Sequence, residues 1–122
     1  MQNPDYIRSV LAQAYGTSQY WRIYPNFFIT DGVKAVIDLC GASWLISDIF
    51  LLSHDEKVRN EDFVVWKLAL NGTSAVLTAD DGNYNELIRE DIPFTDFPLS
   101  EGICFYWCDN VLYFQANIER IR

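Results

Sequence analysis

The pattern of apolar positions at the start of the chain predicts a short helix. Pro4 suits a first helical position, Asn3 can cap it, and Gly16 lies where a helix usually ends. The apolar positions between them follow helical spacing, at Ile7, Val10, Leu11 and Ala14. We therefore expect an N-terminal helix that packs through one side.

A second apolar stretch, residues 31–52, predicts a buried helix or helix pair. Thr30 is placed to cap it, and Gly41 either ends the first helix or lets it pass close to a neighbour. The aromatic-rich residues 19–29 come before it. Pro25 and Asn26 in their middle predict a bend between two short extended or irregular pieces.

After Asp62 the pattern changes from helical to alternating, which is typical of strands. Asn71-Gly72 is a turn signal between two such runs, because both residues tolerate a positive φ. The predicted strands are residues 63–70, 74–79, 86–92, 103–107 and 111–114. The strand 63–70 directs Val64, Trp66 and Leu68 to one face and Lys67 to the other.

Helices followed by strands indicate an α+β fold. We expect residues 1–122 to form a single domain, with the N-terminal helices on one face of a roughly five-stranded antiparallel meander. The last predicted strand, 111–114, has no charge to guard an exposed edge. Either residues 115–122 cover that edge or a second copy pairs with it, so a homodimer is expected.

The net charge of −8 argues against two classes of partner. Nucleic acids and anionic membranes both require an excess of Lys and Arg, so direct binding to either is not expected. Residues 71–110 hold eight acidic residues and one basic residue, so they carry −7 of the total charge. The acidic residues predicted to form a partner-binding surface are Asp80, Asp81, Glu86, Glu90, Asp91, Asp96 and Glu101.

Residue types that carry chemistry are sparse. Cys40, Cys104 and Cys108 are odd in number and poorly spaced for zinc, which predicts reduced thiols in a cytoplasmic protein with no metal. His54 is the only histidine and lies in a run of charges without a glycine elbow nearby, and Asp80-Asp81-Gly82-Asn83 is typical of a tight turn. We expect no cofactor.

Five short strings, in order along the chain, resemble a family of small bacterial proteins of unknown function. They are TDGV at 30–33, GASWLI at 41–46, VWKL at 65–68, DGN at 81–83 and TDFPL at 95–99. The resemblance implies membership of a family also encoded by phages and plasmids. It implies no activity and no catalytic residue.

Two functions follow as hypotheses. The first is a non-enzymatic acidic binding protein, encoded by a mobile element, that inhibits a basic, nucleic-acid-handling host protein. The second is a small ligand-binding domain or enzyme. Its pocket would lie between the Tyr20-Trp21 segment, the central helix and the sheet, and would use Tyr20, Asp31, Trp44 and Lys67. We expect the first, because no catalytic constellation is recognisable.

Overall fold

The computed structural model describes residues 3–13 and 19–114. Its helices within these ranges are α1 (Pro4–Leu11), α2 (Asp31–Cys40) and α3 (Ser43–Leu52). Its strands are β1 (Tyr20–Tyr24), β2 (Phe27–Thr30), β3 (Phe63–Asn71), β4 (Ser74–Asp80), β5 (Glu86–Ile92), β6 (Ile103–Cys108) and β7 (Val111–Phe114). The predicted α+β class is confirmed. No helix in these ranges is long and apolar enough to cross a membrane.

Local capping signals explain where the helices begin and end. The Asn3 side chain accepts hydrogen bonds from the backbone N–H groups of Asp5 and Tyr6, which confirms the predicted cap of α1. Thr30 Oγ1 accepts from the Val33 N–H at 3.3 Å, and Gly41 ends α2 with φ at 62°. The stretch 31–52 is therefore a helix pair. The predicted stop of α1 at Gly16 lies outside the described residues.

The strands form one seven-stranded sheet in the order β1-β2-β7-β6-β3-β4-β5. The prediction of a five-stranded antiparallel meander is wrong in two respects. The two aromatic-rich pieces form the hairpin β1–β2, and β2 pairs with β7 in parallel, whereas the other neighbours are antiparallel. The residues that pair in β2 and β7 are far apart in the chain, so their pairing cannot be predicted from a local alternation pattern.

The strand β7 lies inside the sheet and not at its edge. Its pairing with β2 on one side and β6 on the other contradicts the prediction of an unguarded edge at 111–114. The expectation of a homodimer rested on that edge and loses its basis. The proposed covering segment, residues 115–122, lies outside the described residues. The edges of the sheet are β1 and β5.

The two faces of the sheet differ in what covers them. Buried residues of all three helices, among them Ile7, Val33 and Leu45, form one core with Trp66 and Leu112 of the sheet. We call this the helix face. Strand residues between those of the helix face point the other way. This outer face carries Lys67, Thr78, Arg89, Tyr106 and Tyr113, which are paired across neighbouring strands.

Candidate partner-binding surface

The strand directions bring three of the predicted acidic residues to one end of the sheet. β4 ends at Asp80, Asp81 begins the following turn, and β5 begins at Glu86. Asp80 and Glu86 are register partners across the two strands, with an irregularity in the pairing beside them. This end of the sheet is therefore acidic through the β4–β5 connection alone.

The same end collects acidic residues that the sequence analysis did not assign to a surface. Phe63, the first residue of β3, pairs with Cys108, the last residue of β6, so the segment before β3 and the turn after β6 meet there. These connections add Asp55, Glu56, Glu61, Asp62 and Asp109. We call these five, together with Asp81, Glu86 and the buried Asp80, the acidic end. Its eight acidic residues are accompanied by Lys57, Arg59 and Arg89.

Two of these carboxylates, Asp62 and Asp109, lie near one thiol. Cys108 lies at the end of β6, and its pKa is raised, first by burial and then by the negative charges of Asp109 and Asp62. Asp62 and Asp109 are distant in sequence, so only the pairing of β3 with β6 brings both carboxylates to this thiol. The acidic end could therefore have been predicted from the sequence only if the pairing of β3 with β6 had been known.

The turn between β4 and β5 is ordered by its own carboxylates. Asp80 Oδ1 accepts from the Gly82 N–H at 2.8 Å, and Asp81 Oδ1 accepts from the Asn83 N–H at 2.8 Å. The Asn85 side chain donates to Asp81 Oδ2 at 2.9 Å. This side-chain hydrogen bond, followed by the backbone ones, lowers the pKa of Asp81 and keeps it ionised. The turn interpretation of Asp80-Asp81-Gly82-Asn83 is therefore confirmed.

One aromatic side chain stands out on this turn. Tyr84 is 62% exposed and has a φ of 66°, a left-handed conformation that is uncommon for a residue of its size. The turn therefore exposes an aromatic side chain in the segment between Asp81 and Glu86. The acidic end therefore combines charge with an accessible aromatic surface.

The other predicted acidic residues lie elsewhere. Glu90 pairs with Leu77 on the helix face, where burial and then the neighbouring carboxyl of Asp48 raise its pKa. Glu101 is held by Arg8, with Nε–Oε2 and Nη2–Oε1 distances of 3.0 Å each, and this contact lowers the pKa of Glu101. Asp91 and Asp96 are exposed, in the second half of β5 and in the loop after it. The seven residues therefore do not form one surface.

The residues of the alternative pocket are likewise dispersed. Lys67 and Tyr20 lie on the outer face, but three strands, β2, β7 and β6, separate β1 from β3. Trp44 belongs to α3, on the opposite side of the sheet, and Asp31 begins α2. The structure does not assemble these four side chains into one site.

Lys67 instead joins part of the acidic end in a groove on the outer face. It pairs with Thr78, which pairs in turn with Arg89, so two cations flank one hydroxyl across three strands. The groove has a volume of about 380 Å³. Its lining residues are Lys67, Ala69, Val76, Thr78, Asp80, Tyr84, Glu86 and Arg89.

A second cavity of about 200 Å³ lies at the acidic end, against the tip of the β1–β2 hairpin. Phe27, Phe50 and Trp107 supply its aromatic surface, with Phe27 and Trp107 ring centroids 4.9 Å apart. Ser53 Oγ donates to the Phe50 carbonyl oxygen, and His54 Nδ1 lies 2.8 Å from that same oxygen. Serine and histidine therefore both engage the backbone, and this arrangement does not pair a nucleophile with a base.

The thiols are separate from one another. Cys40 is buried in α2, where burial raises its pKa to about 11, whereas Cys104 and Cys108 are half-buried on β6. All three are free thiols. Across residues 3–13 and 19–114, no group of three or more His, Cys, Asp or Glu side chains is arranged to hold a metal ion.

Comparison with known proteins identifies a family but no activity. No curated protein and no solved structure shows significant similarity to the chain. The model of a family of unknown function, DUF6876, matches residues 5–117, nearly the whole chain. The resemblance expected from the five sequence strings, to an uncharacterised family, is thereby confirmed. The chain is a member of the DUF6876 family.

Proposed function

We propose that this protein is a non-enzymatic binding protein that engages a basic partner through the acidic end. The observation that carries the proposal is the convergence of three connections, 53–62, 81–85 and 109–110, each of which brings carboxylates to the same end of the sheet. An excess of like charge at one end raises the local concentration of oppositely charged partners and speeds their association.

The acidic end also supplies groups suited to a specific contact. Tyr84 presents an exposed ring, and aromatic residues contribute much of the binding energy at protein interfaces. Asp81 is held in place by three hydrogen bonds, so its charge is positioned before a partner arrives. A preordered charge loses less side-chain entropy on binding than a mobile one.

Proteins that handle nucleic acids are the partner class we propose, because their binding surfaces are basic. An acidic protein that covers such a surface would compete with the nucleic acid for it. Inhibition of a host protein in the service of a mobile element is the biological role that fits this competition. We place the encounter in the cytoplasm, where the three free thiols would stay reduced.

A small-ligand function is the second candidate, and the outer-face groove around Lys67 favours it. Among the described residues the Lys67 ammonium takes part in no ion pair, and the groove beside it is large enough for a small metabolite. Lys67→Gln separates the two candidates, because it should abolish ligand binding in the groove and leave a partner at the acidic end bound.

Two variants with the same change of charge test the proposal. Glu56→Lys/Glu61→Lys alters exposed residues of the acidic end, and Asp91→Lys/Asp96→Lys alters exposed residues outside it. Each immobilised variant and the wild type are incubated with lysate of the host at about 0.05 M and about 0.5 M salt, since exposed charges are screened beyond ~10 Å at 0.1 M. Recovered proteins are identified by mass spectrometry.

We expect the wild type and the Asp91/Asp96 variant to retain the same basic proteins at low salt. The Glu56/Glu61 variant should lose them, and high salt should release them from all three. Equal retention by the two variants, or retention that does not respond to salt, would contradict the proposal.

A further inference from the structure

The two edges of the sheet are protected very differently. The strand β5 carries Glu86, Arg89, Glu90 and Asp91, and charged side chains of this kind discourage the addition of another strand. The strand β1 has the sequence Tyr-Trp-Arg-Ile-Tyr, so its only charge is Arg22. An edge that is rich in aromatic and aliphatic residues and nearly uncharged is normally covered or paired.

The apolar side chains of β1 are accessible. Tyr20 is 54% exposed, and Trp21 and Ile23 are each 38% exposed. β1 pairs with β2 on one side only, and within residues 3–13 and 19–114 no strand pairs with its other side. Alternate residues of an edge strand direct their backbone N–H and C=O groups outward, and a further strand is what satisfies a whole row of them.

The single charge on β1, that of Arg22, is opposite in sign to the net charge of the protein. Arg22 is exposed and makes no ion pair with the described residues. Lys34 of α2 lies 5.2 Å from the centre of the Trp21 ring and forms an ion pair with Asp38 at 2.9 Å. A strand placed against β1 would therefore meet the Arg22 charge, which no described residue neutralises, beside the exposed side chains of Trp21 and Ile23.

We propose that β1 is the docking site for an extended segment of another protein, which adds as an eighth strand and alternates apolar with acidic residues. Trp21 pairs with Ile29 of the helix face, whereas Tyr20 and Arg22 are register partners of Thr30 and Phe28 on the other face. Successive residues of the added strand face opposite sides. Its apolar residues would therefore cover Trp21, and its acidic residues would lie beside Arg22.

A second copy of this chain fits the edge less well. Antiparallel pairing of β1 with itself brings the Arg22 residues of the two copies close together, and directly opposed like charges destabilise a strand pair. It would also join two molecules that each carry a net charge of −8. The inference is independent of the acidic end, because β1 and β5 are opposite edges of the sheet.

Selection from a random ten-residue peptide library on the immobilised full chain tests this inference. The double variant Trp21→Ser/Arg22→Gln serves for counter-selection, and Arg89→Gln, the same charge change on the other edge strand, is the matched control. We expect enriched peptides to alternate apolar and acidic residues. They should bind the double variant more than tenfold more weakly than the wild type and bind Arg89→Gln within twofold of it.

The two sets of alternate backbone nitrogens in the enriched peptide are methylated separately. Methylation of the set that faces β1 should abolish binding and methylation of the other set should not, because strand addition depends on main-chain hydrogen bonds. This measurement uses only the wild-type protein, so it stands even if a variant folds poorly. Failure to enrich any peptide, equal binding to the double variant, or binding that methylation of neither set weakens would overturn the inference. So would a dimer that Trp21→Ser dissociates, or peptide binding that appears only after removal of residues 115–122.

Discussion

The connection into β6 allows a sharp test of how the sheet is built. Gly102 has a φ of 77°, and a Cβ atom added to it would overlap the Leu68 carbonyl oxygen and lie 3.1 Å from the carbonyl carbon. These are backbone atoms of β3, so they cannot rotate away as a side chain could. Gly102→Ala must therefore separate β6 from β3 where Ile103 pairs with Leu68.

The cost can be divided into parts. The left-handed backbone costs an L-residue about 1–2 kcal/mol. Alanine also restricts the unfolded chain more than glycine does, which offsets about 0.4–1 kcal/mol of that cost. Loss of one or two ladder hydrogen bonds costs about 1 kcal/mol each. Reduced burial of the Ile103 and Leu68 side chains adds about 1–2 kcal/mol. We expect Gly102→Ala to lower the free energy of unfolding by about 3–5 kcal/mol in all.

Gly41→Ala is the matched control, because Gly41 has a φ of 62° but no atom within 4 Å of the added Cβ. Only the cost of the left-handed backbone applies there, so we expect the free energy of unfolding to fall by about 1 kcal/mol. For a domain of this size, thermal unfolding followed by circular dichroism should show Tm lower by about 3–5 °C for Gly41→Ala and by at least about 10 °C for Gly102→Ala. Equal shifts would refute the steric argument.

Four further substitutions give clear expectations in denaturant unfolding. Leu45→Asp places an unpaired charge in the core and should cost on the order of 3–5 kcal/mol; an unchanged curve would contradict the position of α3. Cys40→Ser brings a hydroxyl into an apolar site and should cost about 1–3 kcal/mol, whereas Cys104→Ser should cost less. Glu90→Gln should stabilise at pH 7, because the raised pKa of Glu90 means that the folded state binds its proton more tightly than the unfolded state does. Wild-type stability from this group rises as the pH falls through that raised pKa, so the advantage of Glu90→Gln should shrink toward pH 4.5; an advantage independent of pH would contradict the cause.

Much of the secondary structure could be predicted because its causes are local. The side chains of Asn3 and Thr30 cap the helices that follow them directly, and Gly41 adopts the left-handed conformation that ends a helix. The strands β3, β4 and β5 lie within one residue of their predicted bounds, since alternation with one buried face is a property of consecutive residues. None of these features depends on a distant segment.

The candidate site could be predicted only in part, because a surface is defined by residues that meet in space. Asp80, Asp81 and Glu86 belong to one hairpin, so their clustering follows from sequence proximity. Asp62 and Asp109 join them only because β3 pairs with β6. Glu90 and Asp91 are adjacent in the chain, yet Glu90 pairs with Leu77 of the core and Asp91 is exposed on the other side.

The sequence by itself therefore determined the caps, the turns and the alternating strands, each of which is stabilised by contacts among near neighbours. The tertiary structure decided the sheet order, the two edges and the composition of the acidic end. The parallel pairing of β2 with β7 joins segments about 80 residues apart, and its stability comes from burying Ile29 and Leu112 in a shared core. Such burial depends on the whole set of packed elements, so it cannot be predicted from the pattern within one segment.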